Sequence, residues 1–101
     1  MALKWKRKTY NRDFGTCQCC GCAEKSKIQI HHIKPKSIFP ELIAEETNLI
    51  TLCFECHLFL HEVVCKGNIY KCNHKALKRL YKMKGTEAGK EAREKCKNRH
   101  W

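Results

Sequence analysis

Nine cysteines and six histidines stand in this chain of 101 residues, and several fall at metal-ligand spacing. Cys17-Gln18-Cys19-Cys20 opens a frame and Cys53-Phe54-Glu55-Cys56 closes it. His31-His32 and Asn48 lie inside, and His57 and His61 follow the second pair. Structural zinc takes four soft ligands in a closed tetrahedron, commonly from two Cys-x-x-Cys steps. That spacing lets both sulfurs of a pair reach one ion from a single turn. The histidines exceed what such an ion needs. Three of them with a position left open would make a catalytic metal site. Histidine is also the natural general base near neutral pH. One closed and one open metal site on a small basic chain point to a metal-dependent nuclease.

The elements that carry these residues follow from local pattern. Residues 28–31 alternate apolar and polar in a β-branched run, so 28–33 reads as a strand that Pro35 ends. Adjacent strand residues point to opposite faces. His31 and His32 therefore divide the work: one joins His57 and His61 at the metal, the other stands at the edge as a base. Residues 34–47 are a long connection, with a short helix over 40–46 begun by Pro40. Residues 48–52 read as a second strand. From Cys53 to about Val64 the apolar spacing is helical, and there His57 and His61, four apart, share one face. Gly67-Asn68 stops that helix. Residues 17–22 are too short for a regular element and read as a zinc knuckle, with Gly21 at its tight position. Spacing leaves two registers, Cys17 with Cys20 or Cys19 with Cys22.

Outside the frame the chain is basic. The net charge is +11, from 21 Lys and Arg against 10 Asp and Glu. A field that large implies a polyanionic partner, and nucleic acid is the usual one. Residues 1–11 read as a basic arm in which Lys4, Lys6, Arg7 and Lys8 are interleaved with Trp5 and Tyr10, with Arg12 just beyond. Such mixing suits phosphates and stacked bases, and Lys34 and Lys36 extend the set beside the histidines. Residues 71–101 hold 11 Lys and Arg and three acids; 74–83 has helical spacing, and 90–99 reads as a solvated helix. The chain reads as one domain with its core over 12–64. No apolar run approaches the ~18 residues that span a membrane, and the first residues lack a signal-length apolar core. A reducing, cytoplasmic setting follows (the host cytoplasm, were the chain phage-encoded), where cysteine pairs favour metal over disulfides. Cys65, Cys72 and Cys96 read as buried or free thiols, and His74 and His100 as surface residues.

Cys17-x-x-Cys20-Gly21, His31-His32-Ile33 and Asn48-Leu49-Ile50-Thr51-Leu52-Cys53-x-x-Cys56-His57, with His61 following, together resemble the HNH endonuclease family in its four-cysteine form. Arg12-Asp13 resembles that family's lead-in and selects the Cys17/Cys20 register. The resemblance covers about residues 12–61. It implies an α+β fold, a small ββα-metal (His-Me finger) core with a structural four-cysteine zinc knuckle and flanking basic helices. It implies hydrolysis of phosphodiester bonds in DNA, by nicking or double-strand cleavage. His32 matches the general base, His31 the metal-side residue before it, Asn48 the loop-holding residue, and His57 the helix ligand. His61 matches a further ligand of His-rich members. His31 departs from the Asp that many members carry. An imidazole ligand set suits Zn²⁺, Ni²⁺ or Mn²⁺ more readily than Mg²⁺, which prefers oxygen. Small free-standing members occur in phages and mobile elements; a phage packaging protein as partner, or a homodimer, is not shown by the sequence. The competing reading is a zinc-stapled module that binds nucleic acid without cutting it. The four cysteines and the charge serve both readings. His31, His32, Asn48, His57 and His61 serve only the nuclease.

Overall fold

The computed structural model describes residues 3–96. Its centre is an antiparallel pair, β1 (Ile28–His32) and β2 (Leu49–Cys53), with Ile28 opposite Cys53 and His32 opposite Leu49. The alternating residues 28–31 expected to form a strand do so. All five residues of β2 are buried, as a strand covered on both faces must be. α1 (Lys4–Arg12) and α2 (Phe54–Phe59) both pack on this hairpin. α2 widens into a π turn over Leu60–Val64, so the helix expected from Cys53 to Val64 is present with a looser final turn. α3 (His74–Lys84) covers that turn, and α4 (Glu87–Glu94) is the last helix among the described residues. The long connection between the strands holds two 3₁₀ turns, Pro40–Leu42 and Glu46–Asn48. No helix among the described residues is long and apolar enough to cross a membrane.

The apolar core gathers Ile33, Ile50, Leu52, Leu60, Leu77 and Leu80, each at most 1% exposed. Burying one such side chain contributes roughly 1.5–3 kcal/mol. Few such residues exist in a domain this small, so polar staples carry more of the structure.

One staple sits where α1 ends. Asp13 is fully buried and paired with Arg12 at 2.9 Å. Its other oxygen accepts the Thr51 N–H at 2.9 Å. The Arg12 guanidinium also donates to the carbonyls of Glu46 and Leu49 at 2.7 and 2.6 Å. The segment that reads as a basic arm thus holds a helix bolted to β2. Arg12, expected at phosphates, spends its donors inside the protein.

A second staple fixes α4, in the region that reads as a solvated helix. The Thr86 hydroxyl donates to the Cys20 carbonyl at 2.7 Å, and Arg93 donates to the Gln18 carbonyl at 2.6 Å. The knuckle satisfies the carbonyls of Cys17 and Cys22 from within, whereas those of Gln18, Cys19 and Cys20 take donors from Thr86 and Arg93. Gly89 lies so close that a Cβ there would stand 1.8 Å from the Cys19 carbonyl oxygen. Residues 97–99 of that expected helix, and His100, lie outside the described residues.

Asp13→Ala leaves a partly buried guanidinium without its carboxylate and a strand N–H without its acceptor. It should lower stability by about 3–5 kcal/mol, measured by urea unfolding; a loss below about 1 kcal/mol would show that the pair is not structural.

Candidate metal centres and active site

The knuckle and the β2–α2 junction bring four sulfurs together. The Sγ atoms of Cys17, Cys20, Cys53 and Cys56 all lie within 4.8 Å of one another. Backbone N–H groups of Cys20 and Cys56 point at Sγ of Cys17 and Cys53, each at 3.5 Å. Gly21 has φ +81°, the left-handed turn a knuckle needs. Cys19 and Cys22 are outside the group: Cys19 is buried with its Sγ 3.9 Å from the Leu80 carbonyl, and Cys22 is half-buried. The register is therefore Cys17/Cys20. The Cys17 thiol is pushed up to about 12, first by its hydrogen bond with Cys56 and then by burial. Burial leads in pushing Cys20 up to about 11. Packed sulfurs resist becoming four adjacent anions. A cation among them reverses that balance, because coordinating thiols are deprotonated.

The second group spans β1 and α2. The register places Gln29 and His31 on the same face of β1, and α2 sets His57 and His61 one turn apart against it. His57 Nε2 lies 3.0 Å from His31 Nδ1 and 2.9 Å from His61 Nε2. Each ring is held below the ordinary histidine range. Burial is the main cause for all three, and neighbouring rings add to it for His31 and His57; His57 falls to about 4. Three neutral imidazoles converging on one point are a donor set for a divalent cation.

Each ring also has a partner behind or beside it. His57 Nδ1 is 2.5 Å from Gln29 Oε1. An amide oxygen only accepts, so Nδ1 carries the hydrogen and Nε2 presents its lone pair to the group. Behind His61, Nδ1 faces Cys72 Sγ at 3.9 Å. As sequence, Gln29 has no assigned role, and Cys72 reads as a buried or free thiol, which it is, without a place behind His61. The period of two, which puts Gln29 beside His31, was the available signal for Gln29; Cys72 arrives by tertiary packing alone.

His32 points the other way, toward α1. Its ring meets Trp5 edge-on with centroids 4.9 Å apart, and Nε2 lies 3.0 Å from the Ile43 carbonyl. A carbonyl only accepts, so Nε2 holds the proton and Nδ1 is left with a lone pair. Burial lowers the affinity of this ring for a second proton, and Lys36 and Lys6 lower it further, against the opposing pull of the Ile43 bond. Asn48, buried, ties down the loop beyond: it accepts the Lys34 N–H at 2.9 Å, donates to the Lys34 carbonyl at 3.1 Å, and its own carbonyl accepts the Ile33 N–H at 2.8 Å. At the strand end both faces open into one cleft of about 240 Å³ lined by His31, His32, Lys36, His57, His61 and Cys72.

Residues 17–62 match the model of the HNH endonuclease family. The HNH segment runs from the first knuckle cysteine to just past His61 and so contains both ligand groups. Its four cysteines fit the zinc-binding form, and its hairpin and helix are consistent with a ββα-metal fold. The match gives the chain a nuclease or nucleic-acid-binding function with metal-binding groups. Neither the curated proteins nor the solved structures give a match. Trp5, Lys6 and Cys72 act on the cleft from outside the HNH segment.

Lys36 lines the cleft and Lys6 stands near His32. Lys34 lies over the Phe39 ring at 5.5 Å, and Lys4, Arg7 and Lys8 are exposed on α1. His74, expected at the surface, is half-buried with Nε2 3.3 Å from the Thr47 carbonyl.

If the four sulfurs share one ion, Cys53→Ser should release that equivalent of metal and unfold the domain, since the ion would tie the knuckle to the start of α2 and a serine oxygen replaces only the cap. Metal released to a colorimetric chelator and circular dichroism together report this. A folded Cys53→Ser protein that keeps its full metal content would contradict it.

Proposed function

We propose that the chain is a metal-dependent endonuclease that hydrolyses phosphodiester bonds in DNA, with His32 as general base. The observation that carries this reading is the tautomer imposed on His32: its Nε2 is bound to the Ile43 carbonyl, Nδ1 is left with a lone pair, and the residue lines the same cleft as three neutral histidines. A divalent ion held by His31, His57 and His61 would supply positive charge against the charge that grows on the phosphorane and the leaving 3′ oxygen. The four-cysteine group would hold a structural zinc.

The remaining work falls to the chain's own side chains. His32 Nδ1 takes the proton of the attacking water. Asn48 clamps the loop after β1 from both sides of Lys34, so the imidazole stays aimed. Gln29 keeps the His57 lone pair pointed at the shared centre, as an outer partner of a ligand does. Lys36 and Lys6 bring positive charge to the cleft, and Lys4, Arg7 and Lys8 continue it along α1; such contacts hold phosphates without reading sequence. A zinc-stapled binder would have no use for a proton-accepting imidazole beside three converged ligand rings.

In a plasmid assay with added Mn²⁺, Ni²⁺, Zn²⁺ or Mg²⁺, the wild type should nick or linearise DNA. His32→Ala should lose about 10²-fold or more while binding DNA as tightly as the wild type. Retained cutting would remove His32 from the base role, and absence of cutting with every ion would favour the binding module. Gln29→Leu should lose about 10–100-fold in metal affinity at the histidine group, read by titration of cleavage against the added ion. An unchanged midpoint would show that Gln29 does not orient His57.

A further inference from the structure

Tyr70 is the most exposed aromatic side chain among the described residues, at 77%. It stands in the 3₁₀ turn Ile69–Lys71, which joins the end of α2 to α3. Residues of this segment face two different hollows. Ile69 and Cys72 line the histidine cleft, whereas Tyr70 and Lys71 line a separate groove of about 330 Å³. The other walls of that groove include Lys66, Lys75 and Arg79, and no carboxylate lines it. None of these four cations has an ion-pair partner among the described residues. Four unpaired positive charges around one hollow create a field that a polyanion relieves. An aromatic face left in water beside them is the other half of a single-strand site, where bases stack and phosphates pair with Lys and Arg. The groove lies past residue 62, beyond the segment that matches the HNH family.

We propose that this groove binds the sugar–phosphate backbone of an unpaired nucleic-acid strand that passes from the histidine cleft over the turn Ile69–Lys71, with Tyr70 stacking on a base. The path from the cut phosphate rests on the nuclease reading; the binding does not. Lys71, Lys75 and Arg79 contact phosphates, and the turn acts as the rim shared by cleft and groove.

The test uses the full chain carrying His32→Ala and fluorescence anisotropy with a labelled single-stranded oligonucleotide and with the matching duplex. The groove triple, Lys71→Ala with Lys75→Ala and Arg79→Ala, is set against a control triple that removes the same charge elsewhere: Lys25→Ala, Lys90→Ala and Lys95→Ala. All six side chains are exposed, and circular dichroism confirms that the fold is kept. The groove triple should weaken single-strand binding about tenfold or more and lower the slope of log affinity against log salt by about 2, from three phosphate contacts at ~0.7 each. The control triple should stay close to the parent. Tyr70→Ala should weaken single-strand binding at least about fivefold and leave duplex binding unchanged. Equal losses in the two triples, or equal effects of Tyr70→Ala on single strand and duplex, would overturn the proposal. In a His32-containing background, hydrolysis of bis(4-nitrophenyl) phosphate, too small to reach the groove, should be the same in the groove triple and the parent; a parallel fall there would overturn the separation of groove from cleft. Failure of the parent to hydrolyse any diester would remove the nuclease reading, while the anisotropy result would still decide the groove.

Discussion

Cys53 holds three positions at once, and the arrangement of the molecule depends on it. It is the last residue of β2, the cap of α2, and one of the four converging sulfurs. Its pairing with Ile28 fixes which residues of β1 face α2. Cys56 enters the same group from the first turn of α2, so the helix axis has little freedom to rotate. His57 is the next residue and His61 lies one turn on. The 3.0 Å spacing of His57 from His31 and the 2.9 Å spacing of His61 from His57, between ring nitrogens, are therefore set by the sulfur cluster and the strand register together. The knuckle also offers the carbonyls that anchor α4, so the same turn organises the far end of the chain.

Within that frame, histidine chemistry is governed by acceptors. The Gln29 oxygen and the Ile43 carbonyl cannot donate, so each forces the proton onto the ring nitrogen it meets. His57 thereby turns a lone pair toward its neighbours, and His32 keeps one on Nδ1. Burial keeps both rings neutral. Identical side chains thus acquire different surroundings and different proton positions, as happens wherever environments separate titratable groups. The adjacent residues His31 and His32 diverge because strand neighbours alternate faces, and α1 and α2 supply different surroundings on those two faces.

Much of this was legible in the chain. The alternation at residues 28–31 gave β1, helical spacing gave α2, and four residues between His57 and His61 gave their common face. The Cys-x-x-Cys steps named the converging sulfurs; spacing alone left the knuckle register open, the resemblance at Arg12-Asp13 selected Cys17 with Cys20, and packing sets Cys19 against Leu80 instead. What escaped depends on long-range contacts with no local periodic signal. Residues 4–12 are so basic that they read as an arm; the buried pair of Arg12 with Asp13 turns them into a docked helix. Residues 90–99 read as a solvated helix because nothing local reveals that a knuckle backbone will press against α4 at Gly89. Tyr70 and Lys71 drew no attention as sequence, since a lone aromatic in a basic stretch is ordinary until a turn sets it on the rim of a groove.

The central claim is that a closed sulfur site builds the fold and a separate, open histidine site does the chemistry. Titration of the metal-free protein with Co²⁺ tests this, following the thiolate-to-metal absorption, circular dichroism and plasmid nicking together. The account predicts that the first equivalent brings the sulfur band and the folded spectrum with no cutting, and that the second brings nicking without further growth of that band. Nicking that rises in step with the sulfur band, or that never appears although both equivalents bind, would contradict it.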